Sequence, residues 1–189
     1  LTQDLYIVPL DGEIRSLTHQ SGMYFQPSVS PDGAHVAFLG VDDALVYPQN
    51  AKVGVIALDG GDHRWLSLGL DRTFYPTALV RPPVWIDATR LVANVEDRGE
   101  THLVELSVDA VPPTRLTDGP LTVLDFDAAG GTIATARSTA TRPAELWVER
   151  DGAAERVTGV AVERLGWERF AVPCTDGSDE IDAWIIRPA

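Results

Sequence analysis

The stretch Arg64-Trp65-Leu66-Ser67 consists of a basic or polar residue, β-forming residues and a hydroxyl, and this short phrase recurs along the chain. Its other copies are Arg15-Ser16-Leu17-Thr18, Thr114-Arg115-Leu116-Thr117 and Arg156-Val157-Thr158. The copies are spaced by roughly 40–50 residues, a period typical of a β-propeller with one four-stranded blade per repeat. A β-sandwich would also have short strands and frequent turns, but it has no reason to repeat one phrase at this interval. The sequence therefore predicts a β-propeller.

Turn signals divide each repeat. A turn precedes every copy of the phrase, at Leu10-Asp11-Gly12, Leu58-Asp59-Gly60-Gly61, Val108-Asp109-Ala110 and Arg150-Asp151-Gly152. Asp-Gly between apolar runs favours a hairpin, because glycine adopts the positive φ that the turn needs. We predict strands upstream of these turns at 5–10, 53–58, 103–108 and 145–150. The result is an all-β, partial propeller of about three and a half four-stranded blades: two outer strands in 4–18, then whole blades near 23–68, 80–117 and 121–158.

Composition limits the classes of partner. The net charge of −13 argues against a nucleic-acid partner, which needs a basic face, and against an anionic membrane surface. No apolar run approaches the ~20 residues of a membrane span. The single cysteine, Cys174, allows no internal disulfide and suits a reducing compartment, so we expect a cytoplasmic protein. Because Leu1-Thr2-Gln3-Asp4 is neither a start methionine nor a signal peptide, we expect the chain to be part of a longer polypeptide.

The repeat stops after residue 158, and a different pattern follows. Two strand candidates, 167–173 and 180–188, flank the turn Thr175-Asp176-Gly177-Ser178-Asp179. This hairpin resembles the opening of the peptidase domain in the prolyl oligopeptidase family, with one extra residue between Gly177 and Ile181. Gln26-Pro27-Ser28-Val29-Ser30-Pro31-Asp32-Gly33 is similar to that family's propeller repeat. Arg142-Pro143-Ala144-Glu145-Leu146-Trp147 looks like the last blade of its acylaminoacyl-peptidase-like and dipeptidyl-peptidase-like branches.

The resemblance implies a domain plan and an activity for the parent protein. Residues 1–162 would be propeller blades, and residues 163–189 would be the first hairpin of an α/β-hydrolase domain. The family implies a serine peptidase, a hydrolase that acts in proteolysis through a Ser-Asp-His triad whose serine lies in a Gly-x-Ser-x-Gly motif. None of the eight serines here is flanked in that way. We therefore assign no catalytic residue and no cofactor, and we expect residues 1–189 alone to be inactive.

Two function classes remain open. The first is a non-catalytic propeller that gates the access of short peptides to a catalytic site outside this segment. Its partners would be the remaining blades and the hydrolase domain of the same polypeptide, together with short peptide substrates, and homo-oligomerisation stays open. Beside those missing blades, we expect open blade faces with apolar surface of the kind seen at Val36 to Leu39. The second class is a stand-alone binding propeller of the periplasmic translocation type, which shares the Ser-Pro-Asp-Gly phrase but has no reason to enter a Trp-rich hairpin.

A few side chains are candidates for a site. Arg137 ends a strand before the loop Thr139-Ala140-Thr141-Arg142-Pro143, where an arginine would face an inter-domain cavity and bind a substrate carboxylate or carbonyl. The four histidines lie far apart in the sequence, so we assign no metal site. The acidic group at 176–182 fails the calcium-loop spacing and is interpreted as a solvated turn. The five tryptophans fall at strand positions and are predicted to be core: Trp65, Trp85, Trp147, Trp167 and Trp184.

Overall fold

The structure is a computed structural model that describes residues 2–19, 21–76, 80–109, 111–159 and 166–187. Within these ranges every helix or strand element is a β-strand, as the sequence predicts, and the strands form four sheets. We name the successive repeats blades A to D and the last strand pair the terminal hairpin. No helix in the described ranges has the length and apolar character needed to cross a membrane.

The strands follow the predicted repeat. Blade A contains β1 (Tyr6–Ile7) and β2 (Arg15–Ser16), and blade B contains β3 (Met23–Val29), β4 (His35–Val41), β5 (Lys52–Ala57) and β6 (Arg64–Trp65). Blade C contains β7 (Val84–Trp85), β8 (Arg90–Asp97), β9 (Glu100–Ser107) and β10 (Thr114–Arg115). Blade D contains β11 (Leu121–Ala129), β12 (Thr132–Thr139), β13 (Glu145–Arg150) and β14 (Ala153–Arg156). The terminal hairpin contains β15 (Trp167–Pro173) and β16 (Glu180–Ile186).

Each of blades B, C and D is an antiparallel meander in which every strand pairs with its neighbour in the chain. Blades C and D also touch through one parallel pair, Thr122 with Thr101. Strand β1 is shorter than the predicted 5–10, because Pro9 has no N–H with which to continue the ladder. The partial propeller predicted from the repeat is confirmed.

The hydroxyl of the repeated phrase has the same contact in every blade. It accepts a hydrogen bond from a backbone N–H in the preceding strand segment: Leu5 to Thr18 at 3.0 Å, Val53 to Ser67 at 3.0 Å, Leu103 to Thr117 at 2.9 Å and Leu146 to Thr158 at 2.8 Å. The carbonyls of those same four residues accept from the N–H groups of Leu17, Leu66, Leu116 and Val157. The phrase therefore completes the backbone hydrogen bonding where the short outer strand leaves the ladder.

Three apolar clusters lie between successive blades. One joins Leu5 and Leu17 of blade A to Val36, Phe38 and Ile56 of blade B. A second joins the other face of blade B to blade C, and a third joins blade C to Val123 and Phe126 of blade D. Blades B and C are thus covered on both faces, which explains why their strands do not alternate apolar and polar residues.

Val36 to Leu39 belong to an inner blade, so their burial does not test the expectation of open apolar surface on a terminal blade. Residues Val36 to Leu39 are at most 4% exposed, because alternate side chains of β4 pack toward blade A and toward blade C. Some large apolar side chains of the blades remain exposed. In the two end blades they are Tyr6, Val8, Leu10 and Ile14 of blade A and Leu146 and Val157 of blade D; in blade B they are Val29 and the loop residues Leu45, Val46 and Tyr47.

Arginines also connect neighbouring blades. The guanidinium of Arg15 in blade A donates to the carbonyl of Leu58 in the turn of blade B. Arg64 of blade B repeats the contact one blade further, donating to the carbonyl of Val108 at 3.0 Å. Blade C has Thr114 at the matching place in its phrase, so the arginine contact is not continued by this residue to blade D.

The terminal hairpin forms a two-stranded sheet of its own, with Trp167 opposite Ile186 and Pro173 opposite Glu180. None of its strands joins a blade. The predicted domain boundary between residues 162 and 163 lies outside the described residues, and the division into 1–162 and 163–189 stays a prediction.

Candidate functional site

A cleft of about 870 Å³ lies where the terminal hairpin meets blades C and D. The β8–β9 turn at residues 97–100 and the loop at 118–122 form one side. The end of β12 forms another, and Trp167, Arg169 and Trp184 of the terminal hairpin close the third. A volume of this size is typical of sites that hold a small molecule or a few residues of peptide.

Asp97 organises the blade side of the cleft. Its carboxylate accepts from Arg72 at 2.6 Å and from Arg115 at 3.2 Å, so residues from three separate segments converge on it. Partial burial raises the pKa of Asp97, but the hydrogen bond and charge of Arg72, with the charge of Arg115, outweigh burial and hold the pKa below its usual value. The hydrogen bond to Asp97 in turn raises the pKa of Arg72. Two of the cleft's arginines thus share the carboxylate of Asp97, and Asp118 lies 3.9 Å from Arg115.

Trp184 holds the terminal hairpin against blade C. Its indole lies so close to Gly99 that a Cβ there would stand 2.6 Å from the ring, a distance that Cβ atoms do not tolerate. Gly99 also has a φ of +76°, a conformation that favours glycine. Glycine at this position therefore serves both the turn and the close approach of the indole.

An ion pair reinforces the contact. Arg169 donates to Asp182 across the terminal hairpin at 2.8 Å and lies 3.9 Å from Glu100 of blade C. The hydrogen bond to Asp182 raises the pKa of Arg169. The carboxylate of Glu100 lies 3.1 Å from Nε2 of His102, whose ring is fully buried. Arg169 of the terminal hairpin thus faces a carboxylate, Glu100, that is already positioned by a buried side chain.

Arg137, the predicted substrate-binding residue, lies on β12 and is 9% exposed. Its Nε donates to Thr135 at 2.7 Å, a second nitrogen donates to Glu149, and the guanidinium stacks over Trp147. Ser138, the next residue along the strand, lines the cleft. The proposed role of Arg137 toward substrate stays a prediction, and within the blade the side chain has two hydrogen bonds and one aromatic contact.

The other candidates stay apart. His63 bonds to Asp42 in blade B, and the side chain of Asp176 accepts from Ser178 within the hairpin turn. Among the described residues, no three histidine, cysteine, aspartate or glutamate side chains are placed to hold a metal ion.

Two tryptophans depart from the core prediction. Trp85 is buried as expected, but Trp167 and Trp184 are 48% and 44% exposed and line the cleft. Strand position alone did not distinguish them, because a two-stranded hairpin has no second sheet to bury its faces. Sequence reasoning also missed Arg98, at the tip of the β8–β9 turn on the cleft rim. The Arg98-Gly99 pair, where turns of this kind prefer Asn-Gly or Asp-Gly, is the signal that would have found it.

Comparison with known proteins adds solved structures only, since no protein-family model and no curated protein matches the sequence. Acylaminoacyl peptidase from Pyrococcus horikoshii is 20% identical with a TM-score of 0.77, over 98% of this chain and 28% of that chain. The β-propeller domain of the Trilobed protease from Pyrococcus furiosus is 19% identical with a TM-score of 0.64, over 82% of this chain and 45% of that one. A putative TolB from Agrobacterium tumefaciens is 19% identical with a TM-score of 0.60, over 96% of this chain and 74% of that one.

This chain therefore spans less than half the length of either of these two structures. At such identities the likeness concerns the fold, which is the property that the repeated phrase and the blade sheets predict independently. The described residues form part of a β-propeller like those of acylaminoacyl peptidase and the Trilobed protease.

Proposed function

We propose that this chain is the non-catalytic propeller portion of a serine peptidase, and that it gates the access of short peptides to a Ser-Asp-His site elsewhere in the same polypeptide. The observation that carries the proposal is the junction at the cleft. The terminal hairpin forms a sheet outside the blades, and Trp184 fixes it on Gly99 of blade C while leaving a cavity of about 870 Å³ open beside it.

The dimensions of the cleft favour a peptide over a folded protein. A cavity of this volume accommodates a few residues and excludes a domain. Its walls combine half-exposed indoles with arginines, which suits the apolar side chains and carbonyl oxygens of a peptide. Gating would then follow from size and from contacts at the rim, with the chemistry supplied by residues outside this chain.

The first experiment separates the gate from the catalyst. The full-length gene product should hydrolyse short peptide anilides or acylated peptides, should be silenced by a serine-directed fluorophosphonate, and should leave folded proteins intact. Purified residues 1–189 should show no turnover above buffer. Fluorophosphonate-sensitive turnover by residues 1–189 alone would contradict the assignment of the catalytic site to another part of the polypeptide.

A second experiment tests the cleft itself. Ala140→Trp places an indole on the cleft wall, so it should lower kcat/KM for longer peptides more than for single-residue anilides. Ala154→Trp on exposed β14 is the matched control and should leave the ratio unchanged. Equal behaviour of the two variants would mean that peptides do not pass this cleft.

The alternative is a stand-alone binding propeller of the TolB type. It is favoured by the share of the putative TolB chain, 74%, that this chain matches. It predicts a full-length product with no peptidase activity that binds a protein partner. Retention of a partner in pull-down, with no hydrolysis of any peptide in the panel, would favour this function over the peptidase gate.

A further inference from the structure

Arg98 differs from the other cations of the chain. Within the described ranges, each of the other lysines and arginines has a hydrogen bond or an ion pair, and Arg98 has neither. It is exposed at the tip of the β8–β9 turn. In a chain with a net charge of −13, anionic partners are abundant, so a cation without one is unusual.

The positive φ of Arg98 is unfavourable for an arginine. Among the described residues, three two-residue turns that join adjacent strands have positive φ at both central positions: Arg98-Gly99 (52° and 76°), Gly130-Gly131 (56° and 75°) and Asp151-Gly152 (52° and 75°). Such turns prefer glycine, asparagine or aspartate at the first position, because a longer side chain there costs roughly 1 kcal/mol or more. The other two turns follow that preference. Arginine at position 98 departs from it, so local folding does not account for the residue.

The surroundings of Arg98 point to a ligand. It shares the rim of the cleft with three arginines that all have anionic partners: Asp97 for Arg72, Asp97 and Asp118 for Arg115, and Asp182 for Arg169. Among the described arginines of the cleft wall, Arg98 is thus the one without an anionic partner. The residue that follows it, Gly99, lies under the indole of Trp184, which is 44% exposed. Arg98 and the indole of Trp184 therefore both line the cleft, and the residue next to Arg98 contacts the indole.

We propose that Arg98 binds the free C-terminal carboxylate of a peptide in this cleft, while the side chain of that same terminal residue, if apolar, lies on Trp184. A C-terminal residue carries its carboxylate and its side chain on one Cα, which matches the adjacent placement of Arg98 and the indole. A guanidinium binds a carboxylate through two parallel hydrogen bonds, so the contact has geometric as well as electrostatic specificity. The inference rests on the proposed function only in taking the ligand to be a peptide.

The test compares matched peptides on the full-length gene product. Binding of Ala-Ala-Phe with a free carboxylate, the same peptide as an amide, and Ala-Asp-Phe amide is measured by isothermal titration calorimetry at low and high salt. We expect the free acid to bind roughly tenfold more tightly than the plain amide. Salt should reduce the preference, because the pair is near solvent. A preference for the Asp-containing amide equal to that for the free acid would overturn the assignment to a C-terminal carboxylate.

Three variants separate recognition from folding. Arg98→Asn should abolish the preference for the acid and leave the melting temperature equal or higher, since asparagine tolerates the positive φ. Arg98→Lys should keep part of the preference, and Arg150→Gln, an exposed change outside the cleft, should keep all of it. If Arg98→Asn instead lowered the melting temperature and left the preference intact, Arg98 would be pairing with another part of the polypeptide and the proposal would fail.

The readout does not depend on turnover. A protein that hydrolyses nothing, yet discriminates acid from amide through Arg98, would overturn the peptidase function and leave this site in place. A protein that hydrolyses peptides without discriminating acid from amide would do the reverse.

Discussion

Blades B and D have the same backbone plan and different surroundings. In each, a hydroxyl of the repeated phrase accepts from the N–H of the preceding strand segment, at 3.0 Å for Ser67 and 2.8 Å for Thr158. Ser67 is 1% exposed, whereas Thr158 is exposed, and the apolar residues beside it, Leu146 and Val157, are 51% and 59% exposed. The difference arises because blade B has a neighbour on each face, and in the described residues blade D is covered on the face toward blade C.

The comparison shows that the repeated phrase specifies the backbone hydrogen bonds of a blade. The stability of a blade comes mainly from packing against its neighbouring blades. An identical hydrogen bond contributes little where water can replace it, and much where its loss leaves a buried donor unsatisfied. We therefore expect equivalent substitutions in the two blades to differ widely in cost.

The largest difference is expected in the core. Phe38 in blade B is fully buried and makes edge contacts with Tyr24 and Trp65 at ring distances of 5.6 and 5.5 Å. Phe38→Ala should lower the free energy of unfolding by about 3–5 kcal/mol through lost burial and a residual cavity. Leu146→Ala in blade D should change it by about 0.5 kcal/mol or less. Urea unfolding of residues 1–189, followed by tryptophan fluorescence, measures both, and similar costs would mean that blade D is covered in solution.

The repeated hydroxyls give the next effect. Ser67→Ala leaves the N–H of Val53 buried without an acceptor and should destabilise blade B by about 1–3 kcal/mol. Thr158→Val removes the same bond in blade D and should cost about 0.5 kcal/mol, since water reaches the N–H of Leu146. Hydrogen exchange at the two amides reports each blade separately. A large loss of protection at Leu146 would show that blade D is buried against a part of the polypeptide outside this chain.

The contrast also explains what could be predicted from the sequence. The repeated phrase and its turns predicted the blades, because each depends on residues that are close together in the chain, as with the Ser67 hydroxyl and Val53. Contacts between residues that are far apart in the chain have no such local pattern in the sequence, so they could not be predicted. Arg72 meets Asp97 across a loop, and Trp184 meets Gly99 between two sheets. The cleft is made of contacts of this kind. Strand position alone therefore predicted Arg137, which is close in sequence to the cleft residue Ser138, and none of the residues that line the cleft.

The contacts between blades should have a smaller effect. Arg64→Met keeps most of the apolar stem of the side chain and removes the hydrogen bond to the carbonyl of Val108, which should cost about 0.5–1 kcal/mol at this exposed position. Arg150→Met removes a bond to Thr132 within blade D and serves as the control. Loss of exchange protection on both sides of the blade B–C junction is expected for the first variant alone. Equal losses in both variants would mean that Arg64 does not stabilise the stacking of blades.

The smallest expected effect concerns stability at acidic pH, which should differ between blade C and blade D. The turn between β7 and β8 in blade C contains Asp87, which accepts from the N–H groups of Thr89 and Arg90 at 2.9 and 2.8 Å. These bonds outweigh partial desolvation, and with the charge of Arg90 they lower the pKa of Asp87 to about 2. The matching turn of blade D, Gly130-Gly131, has no carboxylate.

The sign of the acid effect follows from that shift. A carboxyl group with a lowered pKa stabilises the fold above its unfolded value of about 4, and this contribution is lost as the pH falls toward 2. Asp87→Asn keeps the acceptor oxygen and removes the charge, so it isolates the titration. Because the side chain is 42% exposed, screening limits the difference from wild type to about 1 kcal/mol at pH 6. The free energies of unfolding of wild type and Asp87→Asn, measured from pH 6 to pH 2, should become equal as the pH falls. The amides of blade C should lose protection from hydrogen exchange before those of the Gly130-Gly131 turn. A difference in the free energy of unfolding that persists at pH 2 would show that the charge of Asp87 is not its source.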